Sequence, residues 1–132
     1  EVAVALDPVF ADFQHAAQDG DGPLYAKVMR RAAEWGSPDQ LMYVCGATQA
    51  EKFAELRALT PDHFFLVPGI GAQGGDLDGV CRHGMNDHCG LLVNSSRGIL
   101  YASNGEDFAA AAAASAKSLA HRMANALKNY LP

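Results

Sequence analysis

Gly69, Gly71 and Gly74 stand at the spacing G-x-G-x-x-G inside V-P-G-I-G-A-Q-G-G-D, between an apolar run and a plausible helix start. Glycines so spaced let a backbone turn sharply and approach a phosphate closely, which is the outline of a dinucleotide-binding turn. A second polar stretch, Asn94-Ser95-Ser96-Arg97, follows the next apolar run. Arg97 there brings a planar fork of donors suited to a phosphate. Each feature also has a plain structural use, since glycines make ordinary turns and arginines pair with surface acids. Their joint value depends on whether the fold sets the two stretches on adjacent strand ends.

A third group, Cys81, His83, His88 and Cys89, has residue types that bind zinc. It lacks a C-x-x-C pair and falls in a Gly-containing, loop-like stretch, so solvated loop histidines and two incidental thiols are the better reading and no metal is expected. The three cysteines fit reduced thiols, and the N-terminus, with acids and no basic flank, is not a signal peptide; a cytoplasmic location is expected. The net charge of −5 argues against nucleic acid, whose backbone demands a basic stripe. No apolar run reaches the roughly 20 residues of a membrane helix.

Around these residues the 132-residue chain alternates strand and helix as one domain, residues 1–132, without an internal linker. Strands are expected at 2–6, 41–45, 63–67 and from Leu91 toward Arg97. Pro23 opens a helix with Leu24, Val28 and Ala32 on its inward face. Thr48-Gln49-Ala50-Glu51 has the form of a capping box, and the helix after it buries Phe53, Leu56 and Leu59 or Ala54 until Thr60-Pro61 stops it. Gly74-Gly75-Asp76 opens a short helix whose first N–H groups could face an anion. The alanine-rich run from Glu106 to Leu131 is a long helix. Four β-α units in series predict a parallel sheet covered by helices.

Two α/β architectures fit. A dinucleotide fold carries its glycines after the first strand and an acid about 20 residues on. Here the glycines follow the third strand, and the next strand end offers Asn94 and Arg97, so only an NADP site, with Arg97 on the 2′-phosphate, would remain. The alternative is a (β/α)8 barrel, whose phosphate site is often built from the loops after strands seven and eight. Such a barrel needs about 250 residues, so four β-α units amount to its second half. A first residue of Glu in a strand-like run, with no initiator Met, suggests that upstream chain is missing.

From the first strand to the last helix the chain resembles the C-terminal half of the orotidine 5′-monophosphate decarboxylase family, in its longer bacterial-type branch. V-P-G-I-G-A-Q-G-G-D and N-S-S-R-G-I, at this separation, carry the resemblance. It implies the C-terminal half of a (β/α)8 TIM barrel and the conversion of orotidine monophosphate to uridine monophosphate and carbon dioxide, without metal or cofactor. It also implies a homodimer with sites at the subunit interface, or pairing with the missing N-terminal half. By the same resemblance Gln73 lies on a loop that closes over the substrate, and Arg97 pairs with its phosphate. Backbone N–H groups near Ser96 and Arg97 would complete the cradle, Gly71 would let the backbone approach, and Pro68 would stiffen the entry beside the base, with Val67 and Ile70 as apolar wall.

The sequence departs from the family pattern twice. The D-x-K-x-x-D segment that carries the family's chemistry is absent: the lysines are Lys27, Lys52, Lys117 and Lys128, none in that setting, so no catalytic residue is assigned. Asp12-Phe13-Gln14 matches the family, but Ala5-Leu6-Asp7 replaces the polar stretch before it, and Leu6 cannot hydrogen-bond a pyrimidine. The alternative function is therefore a noncatalytic phosphate-ligand module of the same fold.

Overall fold

The computed structural model describes residues 22–71 and 74–131. The strand expected at 2–6, with Leu6, and the Asp12-Phe13-Gln14 stretch lie outside the described residues, as does Gln73. Helix α1 (Leu24–Ala33) starts after Pro23, whose φ of −65° suits a helix entry. Strand β1 (Tyr43–Val44) follows, then α2 (Lys52–Leu59), β2 (Phe65–Pro68), α3 (Leu77–Gly84) and β3 (Leu91–Asn94). A short α4 (Arg97–Leu100) and the long α5 (Phe108–Tyr130) complete the order.

The three strands pair in parallel in the order β1-β2-β3, with Val44 beside Leu66 and Leu66 beside Leu92. Parallel neighbours need a crossover, and α2 and α3 supply it. Each strand lies next to its predecessor with no reversal of order, as the staves of a barrel do. A dinucleotide fold instead binds where strand order reverses.

Residues two apart in a strand share a face. Tyr43, Cys45, Phe65, Val67 and Leu91 point one way and are buried with Met29, Phe53, Leu77, Val80 and Cys81 of the covering helices. Phe53 and Phe65 meet edge to face at 6.0 Å between centroids. Fully burying a side chain such as Phe65 or Leu77 is worth about 1.5–3 kcal/mol, so this layer holds sheet and helices together. The Tyr43 hydroxyl donates to the Met29 carbonyl at 3.0 Å and fixes α1 against β1. On the other face Met42, Phe64 and Leu92 remain 49%, 38% and 52% exposed.

Several local expectations are corrected. The buried face of α1 is Tyr25, Ala26, Met29 and Ala32; of the expected inward residues Ala32 is buried, while Leu24 and Val28 are exposed and Tyr25 and Met29 take their place. The expected capping box does not form: Glu51 is the N-cap of α2 without a side-chain bond, because Thr48 to Ala50 sit in a turn before it. Ala54 is exposed, leaving Phe53 buried and Leu56 and Leu59 half-buried. Cys81 and His83 are helical rather than in a loop, and Cys81 faces the core. The stretch after Asn94 turns into α4 instead of continuing as strand.

Candidate functional site

The ends of β2 and β3 lie side by side, with Pro68 paired to Asn94. Beyond that pair the chain leaves both strands and encloses an open cleft of about 120 Å³. Its described lining is Pro68, Gly69 and Ile70 from the first strand end and Asn94, Ser95, Ser96, Arg97 and Gly98 from the second. The fold thus brings Pro68, Ser96 and Arg97 into one cleft. Gly71 lines an adjoining cleft with Ile70, Ser95, Gly98, Ser115, Ser118, Leu119 and Arg122.

The glycine loop owes its path to backbone geometry. Gly69, Gly71 and Gly74 have φ of 96°, 83° and 78°, a region that penalises any side chain with a Cβ. The loop doubles back so that the Gly75 N–H donates to the Gly69 carbonyl at 3.2 Å. At Gly75 the need is for space: a Cβ would sit 2.6 Å from both the Ala47 Cβ and the Gly69 carbonyl oxygen. The Ser95 hydroxyl then donates to the Ile70 carbonyl at 3.1 Å and ties the loop to the end of β3.

Arg97 is the only charged side chain among the described lining residues. It is exposed, and among the described residues its guanidinium makes no hydrogen bond or ion pair. It opens α4, where the Ile99 and Leu100 N–H groups both donate to the Ser96 carbonyl. The Arg97 and Gly98 N–H groups have no acceptor among the described residues, as the start of a helix leaves them. A guanidinium and free N–H groups beside a glycine turn can hold an anion. The described lining contains no carboxylate, thiol or imidazole.

Two expected contributors stand outside the described lining of the cleft. At the start of α3 the Asp76 carboxylate accepts from the Asp78 N–H at 3.1 Å and takes one of the N–H groups the helix start offers. Val67 is no wall of the cleft; the strand's alternation turns it into the helix-covered core. Ile70 does line the cleft. Ser95 and Gly98 were missed as site residues, although both lie within N-S-S-R-G; only their position on the turn into α4 gives them a role. Among the described residues no three His, Cys, Asp or Glu side chains converge on a point. Cys45 and Cys81 are buried, and burial pushes their thiols up to about 12 and about 11. No helix of the described residues is long and apolar enough to cross a membrane.

No protein-family model matches the chain. Individual proteins do. Over 121 residues it is 53% identical to the orotidine 5′-phosphate decarboxylase of Bacteroides fragilis, covering 91% of this chain. The chain is homologous to part of that decarboxylase. It is also 48% identical, over 112 residues, to the orotidine 5′-phosphate decarboxylase of Phocaeicola vulgatus. The chain spans 44% and 41% of the length of these two relatives. Among solved structures, the orotidine monophosphate decarboxylase of Leishmania donovani superposes with a TM-score of 0.67 at 35% identity, over 87% of this chain and 42% of that one. The fold is accordingly part of a (β/α)8 barrel, and the order β1-β2-β3 is a run of its staves.

Proposed function

We propose that this chain is the phosphate- and pyrimidine-binding, C-terminal part of an orotidine 5′-monophosphate decarboxylase, which releases carbon dioxide from orotidine monophosphate to form uridine monophosphate. The observation that carries the reading is Arg97, unpaired among the described residues, in one cleft with the glycine loop at the ends of two adjacent parallel strands. The names of relatives that share about half of its residues supply the substrate. Arg97 binds the phosphate through its guanidinium, and the Arg97 and Gly98 N–H groups donate to the same anion. Pro68 and Ile70 form the wall toward the base. Gln73, on the loop between Gly71 and Gly74, closes over the bound nucleotide.

The phosphate is remote from the bond that breaks. Its contacts accelerate the reaction only insofar as they tighten as the site closes, by holding the loop and excluding water. One charge-assisted hydrogen bond is worth about 1.5–3 kcal/mol. The chemical step itself falls to residues outside this sequence, which has no D-x-K-x-x-D segment. The protein works in the cytoplasm as a homodimer, and it needs neither metal nor cofactor. The relatives' shared name favours this enzyme role over a noncatalytic module. The test is ligand binding by Arg97→Ala in the full-length polypeptide that carries this sequence. Affinity for uridine monophosphate is expected to fall roughly ten- to hundred-fold while that for uridine is unchanged. An equal loss for both would make Arg97 a structural residue and overturn the assignment.

A further inference from the structure

α4 is four residues long, Arg97-Gly98-Ile99-Leu100, and contains a glycine, the poorest ordinary helix former. None of its residues is buried, and Ser96 gives it no side-chain cap. Little within the segment therefore fixes where Arg97 stands. The support comes from α5: the Ser115 hydroxyl donates to the Gly98 carbonyl at 2.8 Å, across 17 residues of sequence. Among the described residues this is the one side-chain hydrogen bond to the backbone of α4. The Ser95 hydroxyl does the equivalent for the glycine loop through the Ile70 carbonyl. Both bonds lie in the wall of the cleft behind the Arg97 pocket, which Ile70, Ser95, Gly98 and Ser115 line together.

Ser115 stands out in its own helix. It interrupts the run Ala109 to Ala116, where alanine is the best helix former and a serine weakens the helix slightly. Its hydroxyl does nothing for α5 that alanine would not do better, and its hydrogen bond goes to the segment that carries Arg97. We propose that Ser115, with Ser95, is a positioning residue for the phosphate end of the site. The two hydroxyls hold the carbonyls of Gly98 and Ile70, and so set the gap between the Arg97 turn and the glycine loop. Neither touches the ligand in this role. The inference rests on the reading of the cleft as a phosphate site.

The test uses Ser115→Ala and Ser95→Ala in the full-length polypeptide, with uridine monophosphate and uridine as ligands. Losing one positioning hydrogen bond is expected to weaken uridine monophosphate roughly three- to ten-fold and leave uridine unchanged. Ser115→Thr, which keeps a hydroxyl, restores the affinity. The melting temperature of Ser115→Ala stays within about 3 °C of the parent, since alanine suits α5. Unchanged affinity for uridine monophosphate, or an equal loss for both ligands, overturns the proposal. If the parent itself bound the two ligands alike, the phosphate reading would fall first and this inference with it. A parent that prefers the nucleotide, with serine variants that behave like it, sinks the positioning role alone. Should Ser95→Ala fail to fold, Ser115→Ala decides by itself.

Discussion

The Arg57 guanidinium lies 4.0 Å above the centre of the Phe65 ring. From there it donates to five backbone carbonyls: Gly84 at 2.7 and 2.9 Å, Gly90 at 3.0 Å, and Thr60, Pro61 and His63 at 3.1, 3.0 and 2.6 Å. These groups close α2, end α3 and precede β2 and β3. One side chain thus joins the starts of two strands, at the end of the sheet opposite the cleft. Replacing it by lysine keeps a charge but loses the planar fork. Arg57→Lys is expected to destabilise the protein by about 2–4 kcal/mol, read by urea unfolding, while the ratio of nucleotide to nucleoside affinity stays unchanged. A neutral effect on stability would show that water satisfies those carbonyls equally well.

Gly75→Ala tests the loop from the opposite side. The new Cβ would meet the Gly69 carbonyl oxygen at 2.6 Å, and that oxygen is backbone with no room to swing away. Overpacking of this kind costs about 1–3 kcal/mol and should push the glycine loop off its bond to Gly69. Weaker binding of uridine monophosphate and a lower melting temperature are expected together. Gly46→Ala is the control, because nothing lies within 4 Å of its added methyl. If the two variants behaved alike, close packing at Gly75 would not matter.

His63 sets a pH dependence. Its ring is buried against Tyr43 at 5.3 Å between centroids, and neither ring nitrogen has a hydrogen-bond partner among the described residues. Burial lowers its pKa from the ordinary 6.5; the Arg57 guanidinium lowers it further, while Asp62 partly opposes. The folded state therefore holds His63 neutral where the unfolded chain takes up a proton. Its contribution is complete above about pH 6.5 and is lost as pH falls below that value toward the folded pKa. Chemical unfolding at pH 8, 7, 6 and 5 should show His63→Phe losing less stability on acidification than the parent. Parallel curves would show that other groups govern the acid limb.

A polypeptide of these 132 residues alone should neither decarboxylate orotidine monophosphate nor remain a monomer. The first expectation follows from the absent D-x-K-x-x-D segment. The second follows from Met42, Phe64 and Leu92, exposed on one face of the sheet, and from the outer edges of β1 and β3, unpaired among the described residues. Apolar faces and open strand edges find partners. Sedimentation at micromolar concentration, with an assay for uridine monophosphate, checks both. An active monomer would contradict the assignment of the chemistry to residues outside this sequence.

Much of this protein follows from sequence order alone. The β-α alternation, the approximate ends of α2 and α5 and the pairing of a glycine turn with N-S-S-R were legible because periodicity and glycine or proline punctuation act over a few residues. The sharp φ of Gly69, Gly71 and Gly74 is of the same local kind. Other features depended on what lies opposite. Leu24 and Val28 occur at helical spacing, but Tyr25 and Met29 face the sheet, since the sheet's position decides which stripe of a helix is buried. Thr48 and Glu51 form no capping box, since the turn through Ala50 delays the start of α2. At the start of α3 the Asp78 N–H goes to the Asp76 carboxylate, and the turn that carries Arg97 is α4, a helix too short and too glycine-rich to register as a pattern. Ser115 reads as one more small residue in an alanine run. Only tertiary packing brings its hydroxyl to the Gly98 carbonyl, because a hydrogen bond across 17 residues has no local signature in the sequence.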